Sequence, residues 1–299
     1  MNLTCIFKDQ KERQAYAYII ALTIPMVIQN IFNAAVSSAD VLMLNSVGQD
    51  AISAVSLATQ YSNILSNIFM GLGSGVSMLC SQYWGKHDIK TIEKVQGIAL
   101  RFVILTALLF ALPSVFLPEL MMSLYTSDTH LIILGSSYLR VVGISHLFWG
   151  ISEIFFYTMR SIERVKLCTL INVFTLLLNI GLNAVFIYGL FGAPKLGAVG
   201  VALATSISRV VQFVICLIIS HDSTSAKLRL STIFEKNKVL LQDFVRLSLP
   251  ALLNSLFWSV AFSMYTAILG HLNSDVIAAN SIVSVVRNFG AVFCYLCPI

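Results

Sequence analysis

The chain has 299 residues, 57% of them hydrophobic and 11% charged, with a formal charge of +5 and a mean hydropathy of +0.84. Soluble domains carry about 25% charged residues, so this composition excludes a soluble globular protein and places the chain in a lipid bilayer. The positive charge is explained by membrane orientation, as shown below, and calls for no nucleic-acid partner.

Residues 14–39 contain no Asp, Glu, Lys or Arg, which exceeds the ~20 residues a helix needs to cross hydrocarbon. The run is too long for a signal-peptide core and no small-residue cleavage pattern follows it, so it is expected to be a retained first span. Gln29, Asn33, Ser37 and Asp40 follow one another at spacings of 4, 4 and 3, which puts them on one helical face. That face cannot look at lipid. The charged residue before Asp40 is Arg13, and a carboxylate so deep in an apolar run is costly enough to mark a functional site.

Residues 51–85 are also free of charge and predict one long second helix, with Ser56, Gln60, Asn63 and Asn67 as its polar stripe. Gly71, Gly73 and Gly75 suit close helix packing there better than a phosphate cradle. Third and fourth spans are expected at about 97–117 and 131–157, the latter interrupted by Arg140 and Glu153. Arg140 is expected to reach the outer interface. Glu153 lies seven positions after His146, which suits a proton relay, and also lies near Arg160, which suits a simple ion pair. The fifth span, inside the charge-free run 167–194, aligns Asn172, Thr175, Asn179 and Asn183 at spacings of 3, 4 and 4. The sixth, about 197–220, carries Thr205, Ser208 and Gln212, with Arg209 among them. A seventh occupies the charge-free run 247–274 and an eighth begins near Ala278. The fold class is therefore an all-α, polytopic membrane protein with eight spans.

Fifteen Lys and Arg residues fall in the N-terminus and the even-numbered connections, against Lys195 alone on the opposite side and three within spans. By the positive-inside rule the N-terminus is cytoplasmic, in a cell membrane of the inner or plasma type. The six cysteines sit in or beside helices and suggest no disulfide framework. Cys294 and Cys297 form a C-x-x-C without a second ligand pair, which favours packing over a metal or redox site.

Residues 22–58 repeat at 247–283 with a constant offset and no gap, pairing Leu22 with Leu247, Pro25 with Pro250, Phe32 with Phe257, Ser38 with Ser263 and Asp50 with Asp275. Six spans separate the copies, so both enter the membrane in the same direction, as a parallel repeat. The expected organisation is a six-helix bundle at 1–222, a cytoplasmic linker with a short surface helix at 223–243, and helices 7 and 8 of a second bundle at 244–299. A second unit as long as the first would run well past Ile299, so the chain is expected to be a fragment.

Asp40, with Asn179, Asn183 and Thr205, can offer hard oxygen ligands to a small cation such as Na+, or hold a proton on its carboxyl. Gln29, Asn33, Ser37, Gln60, Asn63 and Asn172 are candidates for the lining of a substrate cavity, and Pro25 and Pro250 for hinges that bend or open the backbone. Any one of the amides and hydroxyls also fits interhelical bonding worth roughly 0.6 kcal/mol. No Ser-His-Asp or His-Glu metal pattern appears, so an intramembrane enzyme is not expected and no catalytic residue or cofactor is assigned. A receptor or scaffold would leave the duplicated unit and its buried acid without a role.

The run Asn179-Ile-Gly-Leu-Asn183-Ala-Val-Phe-Ile-Tyr-Gly189, continued by Gly192-Ala-Pro194 and by Gly197-Ala-Val-Gly200 through Thr205 to Ser208-Arg209, resembles the fifth-to-sixth helix signature of the multidrug and toxic compound extrusion (MATE) transporters. So do Pro25 and Asp40, Ser81-Gln82-Tyr83-Trp84-Gly85, and Tyr138-Leu139-Arg140. The resemblance implies a full protein of twelve helices in two six-helix bundles. It also implies export of amphipathic, often cationic, drugs and toxins in exchange for H+ or Na+ by alternating access, with no obligate protein partner. It matches Asp40, Asn179, Asn183 and Thr205 to the family's N-terminal cation site. Some prokaryotic members carry Asp where this chain has Asn183, which leaves Asp40 as the only full negative charge there. The twin of Asp40 in the second copy is Tyr265, so the two halves are not equivalent. A related flippase for lipid-linked oligosaccharides or polysaccharides is the alternative, and it would call for more cationic residues in the spans than Arg140, Arg209 and Arg287.

Overall fold

The structure is a computed structural model that describes residues 10–192, 194–221, 227–228, 230–235, 237–271 and, in part, 276–286; the side chains of residues 10–20, 22, 37, 230 and 231 stand outside that description. Nine α-helices run in chain order among the described residues: α1 (Gln10–Asn45), α2 (Gln49–Trp84), α3 (Ile89–Phe116), α4 (Pro118–Ser123), α5 (Thr129–Ser161), α6 (Val165–Tyr188), α7 (Ala198–Ser220), α8 (Leu230–Phe234) and α9 (Lys238–Gly270). All except α4 and α8 are long and apolar enough to cross a membrane. The protein is a polytopic all-α membrane protein. Most of the expected eighth span lies outside the described residues, as do Cys5, Cys294, Cys297 and Arg287.

Local sequence sets the boundaries. Asp88 caps α3 by accepting from the Thr91 N–H (3.1 Å) and hydroxyl (2.6 Å), and these bonds hold its carboxyl below the usual range. Asp128 caps α5 through the His130 N–H at 2.9 Å, and Asn237 caps α9 through the Leu240 N–H at 3.2 Å; such caps contribute about 1 kcal/mol each. Gly189 ends α6 at φ 72, a left-handed position that suits a residue without Cβ. The sequence reading missed α4, whose signals are Pro118 at its first position and Glu119 in its first turn.

Helices in lipid are not driven together by the hydrophobic effect, so close contact depends on shape and small residues. The α2 glycines supply this. Gly71 faces the Leu252 backbone, Gly75 faces Ser248, and Gly73 lies under the Tyr157 ring. α2 and α9 are further joined by Asn67 donating to Ser259 Oγ at 3.3 Å. Tyr125, after α4, bonds Ser263 of α9 at 2.9 Å.

The buried apolar side chains form two blocks. One gathers Leu65, Phe69, Val76, Val95, Val103, Phe155 and Phe244, the other Leu44, Leu57, Tyr61, Leu139, Val142 and Val201. Ser62 and His146 lie between them in sequence, bonded Oγ to Nε2 at 3.2 Å. Outside, α3 exposes Leu105, Leu109, Leu112 and Phe116, a stripe at helical spacing that suits acyl chains.

The linker helix α8 is tied to α3. Arg101 of α3 donates to the carbonyls of Ile233 and Glu235, Lys94 pairs with Glu235 at 3.3 Å, and Glu93 accepts from the Lys227 N–H at 3.2 Å. Thr232 is buried against Gly97.

Candidate functional site

The polar stripes of α1, α6 and α7 meet at Asp40. Asn183 Nδ2 donates to Asp40 Oδ1 at 2.5 Å and to Asn179 Oδ1 at 3.3 Å, while Asn179 Nδ2 donates to Thr205 Oγ1 at 3.4 Å. The four residues grouped from the sequence thus form one continuous chain of hydrogen bonds. Asn183 is fully buried, and its carbonyl oxygen has no hydrogen-bond partner among the described residues. With one Asp40 oxygen engaged by an amide, that carbonyl, the other Asp40 oxygen and the Thr205 hydroxyl are the hard oxygens that could hold a small cation.

Asp40 stands in the wall between two cavities. The larger, about 920 Å³, runs between α1, α2 and α7 on one side and α9 on the other. The stripe Ser56, Gln60, Asn63 and Asn67 lines it, facing Trp258, Phe262 and Tyr265. The smaller, about 470 Å³, lies among α1, α5, α6 and α7 and is lined by Gln29, Asn33, Asn172, Thr175, Asn179, Ser208 and Gln212. Asp40, Thr205 and Arg209 border both.

The six residues expected to line one substrate cavity therefore divide. Gln60 and Asn63 line the larger cavity, and Gln29, Asn33 and Asn172 the smaller; the Ser37 side chain lies outside the described residues. The stripe spacing gives each polar face, but the direction in which that face turns is fixed by packing against the neighbouring helices.

Both proline positions fall inside helices, Pro25 in α1 and Pro250 in α9, well past the first turn where proline is readily accommodated. The Pro25 carbonyl accepts from Thr169 Oγ1 of α6 at 3.3 Å, so the backbone at Pro25 is tied to α6.

Glu153 and His146 bond to different partners. His146 bonds Ser62, whereas Glu153 accepts from Trp149 Nε1 at 3.2 Å. Arg160 donates to Gln29 Oε1 at 3.2 Å. Arg140 is exposed, and Cys80, Cys168 and Cys216 are buried free thiols. The sequence reading gave Arg209 no role. Its guanidinium lies 4.1 Å from the Trp149 ring centroid and donates to Ser145 Oγ at 3.1 Å. Its position four residues after Thr205, on the polar stripe of α7, was the signal that placed it here.

An Asn183→Asp variant would set two carboxylates at hydrogen-bond distance, where both ionise only with a cation or shared proton between them. We expect it to raise cation affinity about tenfold, which is 1.4 kcal/mol. Isothermal titration with NaCl at fixed pH checks this.

The MatE family model matches residues 25–185. The uncharacterized transporter YisQ of Bacillus subtilis (strain 168) is 25% identical over 233 residues, 78% of this chain and 51% of YisQ. The multidrug resistance protein NorM of Vibrio parahaemolyticus is 29% identical over 279 residues, 88% of this chain and 58% of NorM. The chain spans about half the length of the curated relatives it matches. A solved structure described as the inward-facing conformation of a multidrug resistance MATE family transporter of the MOP superfamily aligns with a TM-score of 0.71 at 23% identity, over 88% of this chain and 60% of that one. One described as the outward-facing conformation of such a transporter aligns at 0.69 and 20% identity, over 93% and 67%. These two likenesses speak to the fold.

Proposed function

Because this chain belongs to the MatE family, we propose that it forms part of a cation-coupled antiporter, and not an enzyme, exporting small amphipathic or cationic drugs by alternating access. The single observation that carries the reading is the place of Asp40, hydrogen-bonded to Asn183 in the wall shared by two cavities. A carboxylate at that depth is costly unless a positive species neutralises it.

The coupling ion, H+ or Na+, enters at Asp40, Asn179, Asn183 and Thr205. Asp40 lies four turns along α1 from Pro25, whose ring removes one helical hydrogen bond and leaves the backbone there free to change its bend. Neutralising Asp40 alters the pull between α1 and α6 across the Asp40–Asn183 bond. The resulting tilt narrows the larger cleft and lowers its affinity for the bound compound. Coupling energies of this kind run about 1–3 kcal/mol. The cleft suits an amphipathic cation, with aromatic rings Trp258, Phe262 and Tyr265 on one wall and the Asp40 carboxylate on the other. In this reading the N-terminus lies in the cytoplasm, and residues 1–222 and 244–299 belong to two bundles joined by the linker.

The test is dye export from everted vesicles holding the full-length protein, under a sodium gradient alone and then a pH gradient alone. Export under one of them supports the reading. Export that depends on neither gradient, or only on ATP, refutes it.

A further inference from the structure

Three polar atoms on the smaller cavity's lining residues lack a hydrogen-bond partner among the described residues: Arg160 Nε, Asn172 Oδ1 and Ser208 Oγ. Ser208 is only 6% exposed. Leaving such atoms unpaired costs about 1–3 kcal/mol each, and a cavity of about 470 Å³ lined almost wholly by amides, hydroxyls and charges has ample room to satisfy them with water. The cavity runs from Arg160 and Gln29, near the end of α5, past Asn172 and Thr175 to Asn179, Thr205 and Asp40. Glu153 borders it, bonded to the Trp149 indole.

We propose that the smaller cavity is the coupling ion's own passage, that the ion is a proton, and that Glu153 carries it between the Arg160 end and Asp40 while the larger cleft takes the exported compound. This inference rests on the antiport reading above and deepens it.

The charges on the wall select the ion. Glu153 interacts with Arg160 on its own helix and with Arg209 on α7; Tyr157 of α5, Cys168 of α6 and Cys216 of α7 also feel its charge. Asp40 contributes from α1, and α2 adds only the Ser66 hydroxyl. With the two guanidiniums balancing the two carboxylates of the wall, a metal ion beside Glu153 would be short of free anionic oxygens. A proton needs no coordination shell. A hydronium ion in the cavity gives its proton to a Glu153 oxygen, forming the carboxyl O–H and leaving water. That O–H then breaks to a second water, which delivers the proton to the free oxygen of Asp40. Trp149 and Arg209 hold the Glu153 end in place, since the guanidinium rests on the indole face and the indole N–H binds the carboxylate.

Trp149 lines the smaller cavity and Trp258 the larger, so each reports on one of them. The experiment uses the full-length protein in proteoliposomes with every tryptophan except Trp149 replaced by Phe. In the absence of dye, Trp149 emission is expected to change with pH as Glu153, bonded to the indole N–H, changes charge. Glu153→Gln, which keeps an acceptor for the indole N–H, is expected to remove that titration and lower pH-driven dye export about tenfold or more. Equilibrium dye binding should stay unchanged, and Glu153→Asp should restore part of the titration. Emission that stays flat in the parent, a titration that persists in Glu153→Gln, or full export by that variant overturns the proposal. So does loss of dye binding in Glu153→Gln, which would mean the two cavities act as one, and so does a sodium pulse at constant pH that shifts Trp149 emission. Export that survives Asp40→Asn would refute the antiport reading instead, while the dye-free titration of Trp149 still judges the passage.

Discussion

Replacing Asp40 with Asn is expected to abolish ion-driven export, a fall of about a hundredfold or more, while the protein still reaches the membrane at normal levels. The asparagine carbonyl can accept the Asn183 amide as the carboxylate does at 2.5 Å, so the chain through Asn179 to Thr205 is preserved. Only the charge goes. Since that charge is costly to keep away from water, its removal should leave thermal stability equal or higher. Binding of a cationic dye in the cleft is expected to weaken without vanishing, because the Asp40 wall loses its charge while the aromatic wall of Trp258, Phe262 and Tyr265 is untouched, and added cation should no longer displace the dye. The measurement pairs vesicle efflux with equilibrium dye binding at two cation concentrations. Export at the parental rate, or cation-sensitive dye binding in the variant, would sink the assignment.

The second large effect concerns the seam between α2 and α9. A side chain at Gly71 would place its Cβ 2.5 Å from Leu252 Cα, and backbone, unlike the end of a flexible side chain, cannot swing aside. Gly71→Leu is therefore expected to force the helices apart at a cost of about 1–3 kcal/mol, to lower the melting temperature in detergent, and to stop export. Met78→Leu, on an exposed position of the same helix, serves as the control and should change neither. A Gly71→Leu protein that melts and transports like the parent would show that the two helices need not approach this closely.

Much of this architecture is legible in the sequence because lipid imposes strict rules. Charge-free runs locate α1, α2, α6 and α9, and the 3.6-residue period collects Asp40, Asn179, Asn183 and Thr205 on faces that must avoid acyl chains. Their meeting in one hydrogen-bonded chain is a tertiary fact. It follows from α1 and α6 being turned toward each other, which periodicity alone does not fix. For the same reason the stripe on α2 could not be told apart from those on α1 and α6, although it faces a different cavity. Arg209 reads in the sequence as an interruption in an apolar span, yet the aromatic face of Trp149 offsets part of its burial there. The helix α4 was hidden by its apolar neighbours, with Pro118 its plainest mark.

The grip of Arg101 on Ile233 and Glu235 makes the connector a gear rather than a tether. Motion of α3 passes directly to α8, and a single residue separates Glu235 from the cap at Asn237. A flexible spacer inserted there would disengage the drive between the halves and leave each free to rattle, whereas a reporter domain spliced upstream of α8 would ride along without uncoupling them.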